Sequence, residues 1–300
     1  MRSFFDNDEA FDRQAHEWGR DILVFEEPPR RLRRPRRGML PSNKPWLNLM
    51  LLLLTIASTW LTWGPWYSPA IIAVLSAHEM GHYVTARRYG MAATLPFFIP
   101  FPYANPFGTL GAMIQLHSPF RDRRALFDVG AAGPLAGLVV TLAVILAGVL
   151  LDPSAARESA ATAFLPHPQP LMLLLVYLVT GRWISGSEII LNPLLYAGWV
   201  GLFVTSLNLM PVGQLDGGHI FYAVFGRRGL KWMTGVIGLI GLLALFYHGW
   251  LLLFVLLLLF GRRHPSPLDE YTPLNRGRRR LAAVIMVIFL LTFTPFPFTF

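Results

Sequence analysis

Long apolar runs alternate with short polar or basic segments along most of this 300-residue chain. Several of the runs approach or exceed the length of about 18 residues at which an apolar helix can cross a bilayer. We predict full spans at 46–63, 70–87, 127–151, 192–210 and 281–297. The pattern therefore predicts an all-α polytopic membrane protein.

Two other apolar segments are not simple spans. The run at 171–185 is short and includes Arg182, so we interpret it as a partial or interfacial helix. The run at 232–260 would be about 43 Å long as one helix, and the sequence YHGW interrupts its middle. We predict a hairpin of two short helices there, which gives about seven crossings, within a range of about six to eight.

The segment 91–120 breaks the helical pattern. Its five prolines exclude a continuous helix, and the sequence TLGAMIQLHS at 109–118 is typical of a short β-strand. Non-helical backbone at membrane depth is tolerated only against protein or a water-filled cavity. We therefore predict a re-entrant or interfacial β-hairpin directly after the helix at 70–87.

Small residues mark the beginning of the span at 127–151, which opens with VGAAGPLAGLVV. Gly133 and Gly137 form a pair of small residues four positions apart. Such pairs allow the backbones of two membrane helices to approach closely. We interpret this sequence as a helix-packing surface.

Composition and charge support the membrane assignment. The chain is 54% hydrophobic and 14% charged, whereas soluble domains carry about 25% charged residues. Its formal net charge is +9, and the arginines gather beside apolar runs at 30–37, 226–231, 261–265 and 276–280. Such clusters are typical of membrane orientation and of contact with anionic lipids. We expect membrane lipids, including anionic lipids, as partners, and no nucleic acid.

The basic clusters also predict an orientation. The polar segment 1–45 ends in an arginine block, which predicts a cytoplasmic tail before an integral membrane domain at 46–300. The same rule assigns loops at 220–231 and 261–280 to the cytoplasm. We expect a multi-pass protein of the plasma (inner) membrane with a cytoplasmic N-terminus.

The span at 70–87 carries the sequence HEMGH, which fits the metal-binding pattern H-E-x-x-H. Positions four apart lie on one face of a helix, so His78 and His82 can share a metal ion. Glu79 lies about 100° further round the helix and can act as a general base without binding the metal. Charged side chains are unfavourable in hydrocarbon and usually functional there, which indicates a metal site.

A catalytic zinc ion needs a third protein ligand. Asp122 and Asp128 lie among arginines, where ion pairing explains them, and His117 reads as a polar edge residue of the predicted strand. Asp216 follows a span that ends in MPVGQLDGG, where proline and glycines allow an unwound backbone. A carboxylate at such a bend can reach back into the bundle, although an aspartate that caps the next segment is an equal alternative.

Two motifs in order on separate spans resemble the site-2 protease family of intramembrane zinc metalloproteases. The first is H-E-x-x-H, and the second is N-x-x-P-x-x-x-L-D-G-G. The resemblance covers about 70–225, including the sequences FGTLGA and AGPLAG, and implies a catalytic core there. The residues of the second motif are Asn208, Pro211, Leu215, Asp216, Gly217 and Gly218.

The resemblance implies a role for each site residue. His78, His82 and Asp216 would bind one zinc ion per chain. Glu79 would activate water, and Asn208 corresponds to an asparagine that steadies the substrate carbonyl or oxyanion. The implied activity is a zinc endopeptidase that carries out regulated intramembrane proteolysis.

The implied substrates are transmembrane segments of membrane-anchored proteins. A helix hides its backbone, so such a substrate must be extended before it is cut. An extended peptide can pair with a free strand edge. The candidate substrate-binding residues are therefore those of the predicted strand, Thr109, Leu110, Gly111 and Ala112.

The sequence departs from some members of this family. The loop between the spans at 127–151 and 192–210 has about 40 residues, which is too short for the PDZ domain inserted in some family members.

An alternative function also remains open for the site. The protein could be a membrane metal transporter, or a non-catalytic membrane protein with a structural metal site. Transporters tend to show internal repeats, whereas no repeat is visible here and the charged site is compact.

Overall fold

The computed structural model describes residues 44–103, 105–151, 166–181, 191–261 and 266–298. Within these ranges the chain forms nine α-helices and one two-stranded antiparallel sheet, whose strands are β1 (Phe97–Pro100) and β2 (Thr109–Met113). The helices are α1 (Pro45–Trp63), α2 (Tyr67–Arg88), α3 (Arg123–Leu151), α4 (Pro170–Thr180), α5 (Pro193–Leu209), α6 (Asp216–Phe225), α7 (Gly229–Phe246), α8 (Leu251–Phe260) and α9 (Arg276–Thr292).

Three helical stretches are long and apolar enough to cross a membrane. They are α1, α3 and the stretch Asp216–Phe246, which contains α6 and α7. The apolar helices α4 and α5 are shorter, as is the stretch His248–Leu259. The predicted helical architecture and the small β-hairpin after α2 are confirmed. The predicted tail at 1–45 lies outside the described residues, except for its last two positions.

The helix α3 lies at the centre, because α2, α4, α5 and α6 all pack against it. Glycines on both sides allow α3 and α5 to pack closely. Gly148 of α3 lies against Leu195 of α5, and Gly198 of α5 lies against Ile145 of α3. Fully buried Trp199 and Tyr67 join Ile145 in the apolar core between α2, α3 and α5. This core fixes the two helices that carry the predicted motifs.

The first helix, α1, buries a polar stripe rather than an apolar one. Asn48 Nδ2 donates to the carbonyls of Leu95 (3.1 Å) and Pro96 (2.8 Å), just before β1. Ser58 Oγ donates to the carbonyl of Gly108, just before β2. The helix therefore holds the hairpin at two points along its length. The buried residues of α1 are Asn48, Thr55, Ser58 and Thr59.

Several boundaries differ from the sequence prediction. The last helix ends at Thr292 and not at 297, and α3 begins at Arg123 and not at 127. The predicted strand at 109–118 ends at Met113, because its partner β1 has four residues, and only an isolated bridge joins Leu116 to Ala93. The segment expected as a loop at 220–231 is helical, since it comprises the end of α6, a 3-10 turn and the start of α7. Burial of Ile220 in the core beside α3 explains this helix.

The helices α7 and α8 form a hairpin about the YHGW sequence. The ring of Phe254 on α8 packs against Gly241 on α7. A 3-10 turn at His248–Trp250 joins the two helices, and Trp250 Nε1 donates to the carbonyl of Pro295 at 2.6 Å. The structure thus has the break that the sequence predicts within the apolar run.

Arginine-bearing helix ends meet at one end of the bundle, which we call the basic pole. Arg123 at the start of α3 donates to the carbonyls of Ala223 (2.8 Å) and Val224 (2.9 Å) at the end of α6. Arg278 near the start of α9 pairs with Asp128 of α3 at 2.6 Å. The arginines of these helix ends are Arg87, Arg88, Arg121, Arg123, Arg124, Arg227, Arg228, Arg276, Arg278, Arg279 and Arg280.

Candidate metal centre

The helix α2 brings two imidazoles together. His78 and His82 are one helical turn apart, and their Nε2 atoms lie 3.1 Å from each other. Both side chains are buried, with 5% and 8% of their surface exposed. Neither is placed to face lipid, so the two nitrogens converge on a point inside the bundle.

A break in the chain brings the carboxylate to the same point. Helix α5 ends at Leu209, residues 210–215 are not helical, and Asp216 begins α6. Asp216 Oδ2 lies 3.2 Å from the Nε2 atoms of both His78 and His82. The break needs Gly217, because a β-carbon there would overlap the carbonyl of Leu209. The LDGG sequence therefore positions Asp216 through its glycines.

The three side chains fit a tetrahedral zinc ion. Their ligand atoms lie 3.1 to 3.2 Å apart, and zinc bonds of about 2.0 to 2.1 Å in tetrahedral geometry separate ligand atoms by about 3.3 Å. Two imidazole nitrogens and one carboxylate oxygen are a donor set that zinc accepts. Among the described residues, no other group of His, Cys, Asp or Glu is close enough to hold a metal ion.

A backbone carbonyl of α3 orients one of the imidazoles. His82 Nδ1 lies 2.8 Å from the carbonyl oxygen of Val129, to which it donates. This bond leaves Nε2 of His82 free to face the other two ligand atoms. Sequence reasoning missed this contact, because a backbone carbonyl has no signature in the sequence.

Glycines of α3 make room for both imidazoles. A β-carbon at Gly133 would overlap the ring of His82, and one at Gly137 would lie 3.1 Å from the β-carbon of His78. The pair that the sequence indicates as a helix-packing surface therefore packs against the histidines themselves. Gly133 and Gly137 are four residues apart in α3, just as His78 and His82 are four residues apart in α2, so each glycine faces one histidine.

Two further polar side chains border the three ligand atoms. Glu79 is buried, with 8% of its surface exposed, and its carboxylate lies near the backbone N–H of Ile114, the residue after β2. Asn208 Nδ2 lies 3.3 Å from Nε2 of His78. Glu79 does not belong to the group of three ligand side chains, which leaves its carboxylate available for proton transfer.

Two cavities meet at the site. The first, of about 360 Å³, lies between β2 and α5 and is lined by all four candidate strand residues, Thr109 to Ala112. The second, of about 340 Å³, is lined by Gln214, Leu215 and His219 near the start of α6. His78, Glu79 and Asn208 line both cavities. A peptide that passes from one cavity to the other would cross the site.

The alternative acidic and histidine candidates lie outside the group. His117 contributes a backbone N–H to the carbonyl of Ala92 at 2.9 Å. Asp122 caps α3 by accepting from the backbone N–H of Ala125 at 2.7 Å. Asp128 is ion-paired with Arg278, as expected from the neighbouring arginines.

The tyrosine that follows α2 shares the carboxylate of Asp128. The Tyr89 hydroxyl donates to Asp128 Oδ2. Burial and this hydrogen bond raise the pKa of Tyr89 above its ordinary value. The hydroxyl therefore stays protonated and connects the end of α2 to α3 at the basic pole.

Comparison with known families agrees with this site. Residues 66–247 match Peptidase family M50, a range that contains both motifs and the β-hairpin. The chain belongs to Peptidase family M50. This result confirms the family resemblance that the paired motifs indicate.

The chain is similar to several proteins of plants and to one solved archaeal structure. The probable zinc metalloprotease EGY2, chloroplastic, of Oryza sativa subsp. indica is 33% identical over 232 residues, which cover 76% of this chain and 42% of that protein. EGY2 of Arabidopsis thaliana is 34% identical over 231 residues, covering 76% and 41%. The chain thus spans less than half the length of these relatives. The site-2 protease from Methanocaldococcus jannaschii covers 76% of this chain and 92% of its own, with 15% identity and a TM-score of 0.36.

Proposed function

We propose that this chain is an intramembrane zinc endopeptidase that cuts transmembrane segments of membrane-anchored proteins. The observation that carries the proposal is the convergence of His78, His82 and Asp216 within 3.2 Å of one another, with Glu79 beside them. The group lies inside a bundle of apolar helices and opens onto two cavities. A structural metal site has no need of an uncoordinated buried carboxylate or of an approach from two sides.

One zinc ion per chain would be held by His78, His82 and Asp216. Zinc bound there supplies Lewis acidity at neutral pH. The hydrogen bond from His82 to the Val129 carbonyl keeps the ligand nitrogen pointed at the site. The buried position of the histidines limits the access of bulk water.

Glu79 moves the proton in this proposal. Its carboxylate takes a proton from the attacking water and later gives it to the leaving amine. The N–H of Ile114 lies near this carboxylate on the side of β2. The element that borders the substrate cavity therefore also adjoins the base.

Asn208 and the strand would hold the substrate. The side-chain amide of Asn208 can donate to the carbonyl oxygen on which negative charge develops. An extended substrate would lie beside β2, at Thr109 to Ala112, where the cavity adjoins the strand. This arrangement requires a substrate helix that unwinds locally before it is cut.

The proposed topology has about seven crossings and a cytoplasmic N-terminal tail at 1–45. The basic pole supports it, because the positive-inside rule assigns a basic end to the cytoplasm. We propose the plasma (inner) membrane as the location, with anionic lipids at the basic pole. The chain has no native cysteine, so single cysteines can be labelled from either side of the membrane. Labelling of the 266–275 segment from outside would contradict this topology.

The test of the activity is Glu79→Gln in the full chain, purified in detergent. The substitution keeps the volume of the side chain and removes the base, so zinc content should stay near one per chain while cleavage of single-span substrates falls by orders of magnitude. Glu270→Gln, at the basic pole, is the matched control and should cleave like the wild type. Cleavage by Glu79→Gln at the wild-type rate would refute the proposed chemistry and favour a structural or transport role for the metal.

A further inference from the structure

The first cavity has an apolar body and a polar end. Its volume is about 360 Å³, and His78, Glu79 and Asn208 form its end at the site. Asn105 and Thr109 also line it, and their side chains hydrogen-bond to backbone carbonyls of the hairpin. Among the residues that the structure describes, no lysine, arginine or aspartate lines it. Its apolar side chains come from α2, α5 and the turn before β2, and they include Ile71, Leu75, Phe107, Val200, Phe203 and Val204.

The cavity is large enough for one bulky side chain. An apolar protein cavity of about 150 Å³ can hold a benzene ring, and this cavity has more than twice that volume at about 360 Å³. A leucine, methionine or phenylalanine side chain therefore fits. An acidic side chain would lose its hydration there without gaining a cationic partner, and Glu79 is the one charged partner that the described lining offers to a basic side chain.

The strand beside the cavity is shaped to admit a side chain from a neighbouring peptide. The pairing with β1 places Ile99 opposite Gly111 and Pro100 opposite Thr109, so Leu110 is the extra residue of a β-bulge. Gly111 has φ +102, and the space beside its α-carbon is open. Any side chain at position 111 would be strained and would point into this space.

We propose that this cavity is a specificity pocket for a large apolar side chain of the substrate, adjacent to the peptide bond that is cut. The inference rests on the proposed protease function. Its occupant is a residue of an extended substrate, because Glu79 and Asn208 close one end of the pocket and β2 forms its wall. A residue that enters the pocket places the next peptide bond at the catalytic side chains.

Val204 is the residue with which to change the size of the pocket, since it lines the cavity and is only partly buried in the core. Val139, in α3, is 68% exposed and does not line the cavity, so Val139→Phe is the matched control. A single-span substrate is prepared with Ala, Leu or Phe at each position around the cut. Wild-type enzyme should prefer Leu or Phe over Ala by about 10-fold or more at one position.

The variants should change this preference in opposite directions. Val204→Phe should lower the ratio of the cleavage rate of the Phe substrate to that of the Ala substrate by about 10-fold or more. Val204→Ala should raise the same ratio. Val139→Phe should keep the wild-type ratio. Equal cleavage of all substrates by the wild type, or equal effects of Val204→Phe and Val139→Phe, would overturn the proposal that this cavity is a specificity pocket.

A crosslinking measurement separates this inference from the protease proposal. Because the chain has no cysteine, Val204→Cys can be combined with Glu79→Gln and tested for disulfide formation with substrates that carry one cysteine at successive positions. Crosslinking should peak at a single substrate position and exceed that of Val139→Cys by about 10-fold. Crosslinking no greater than that of Val139→Cys overturns the pocket and leaves a lipid chain as its occupant. If Val204→Cys with Glu79 intact crosslinks to a substrate that neither it nor the wild type cuts, the protease function is contradicted and the pocket is not.

Discussion

Two apolar helices, α3 and α7, carry glycines at short spacing, and two glycines in each have contrasting surroundings. In α3, Gly133 and Gly137 lie against the imidazoles of α2. In α7, Gly241 lies against the ring of Phe254, whereas the spaces beside Gly235 and Gly238 hold no other described atom within 4 Å. The comparison shows that small residues in an apolar helix indicate a close contact only where another surface needs the space.

In α3, the glycines leave space for the face of α2 that carries the two histidines. The contact is reciprocal, because a β-carbon at Gly81 of α2 would overlap the carbonyl of Ala132 in α3. Glycine on both helices allows the backbones to approach until Val129 can accept the hydrogen bond from His82. The glycines that allow close packing of the two helices therefore also allow the hydrogen bond that orients His82.

The largest effect should come from Gly133→Ala. Its methyl group would occupy the space of the His82 ring, so the ring must rotate away from Asp216. We expect zinc content far below one per chain and loss of proteolysis, measured by metal analysis of protein purified in detergent. Gly235→Ala is the matched control and should keep its zinc. A Gly133→Ala variant with about one zinc per chain would show that Gly133 of α3 is no more constrained than Gly235 of α7.

A somewhat smaller effect is expected from Gly81→Ala. The new methyl group meets the backbone of α3 at Ala132, which cannot rotate away, so the two helices must separate. Overpacking of this kind destabilises a protein by about 1 to 3 kcal/mol. Thermal unfolding in detergent should therefore show a lower midpoint than for the wild type. An unchanged midpoint would show that the contact between α2 and α3 is looser than the structure indicates.

Gly137→Ala should have a moderate effect. Its β-carbon would lie 3.1 Å from that of His78, so a shift of a few tenths of an ångström relieves the contact. We expect zinc to bind, with an affinity lowered by about 10-fold, as for changes around metal ligands. Competition with a zinc chelator measures this, and an affinity as low as that of Gly133→Ala would remove the distinction between the two positions.

The smallest effects belong to α7. Gly238→Ala adds a methyl group into open space, so no contact is lost. Alanine favours a helix over glycine by about 0.5 to 1 kcal/mol, and we expect unchanged zinc content with equal or slightly higher thermal stability. A destabilised variant would show that Gly238 has a close neighbour and would remove its contrast with Gly133.

Most helices follow from the lengths of the apolar runs, and the HEMGH and LDGG sequences indicate the side chains that meet in the structure. The sequence does not predict the features that depend on tertiary packing. Helix α6 contains two glycines and follows a proline-containing turn, so it resembles a loop until its contacts with α3 are known. The carbonyl of Val129 and the fit of Gly133 to His82 depend on a helix crossing that no local pattern encodes.

The polar stripe of α1 has a consequence for the order in which the protein is made. The carbonyls of Leu95 and Pro96 accept hydrogen bonds from Asn48, and the carbonyl of Gly108 accepts from Ser58 and from the backbone N–H of Phe101. In hydrocarbon, a carbonyl without a donor costs several kcal/mol. Because α1 precedes the hairpin in the chain, its donors are synthesised before the carbonyls that need them. We therefore expect α1 to serve as a template for the hairpin, and a chain deprived of α1 should insert its later helices without forming the strand edge.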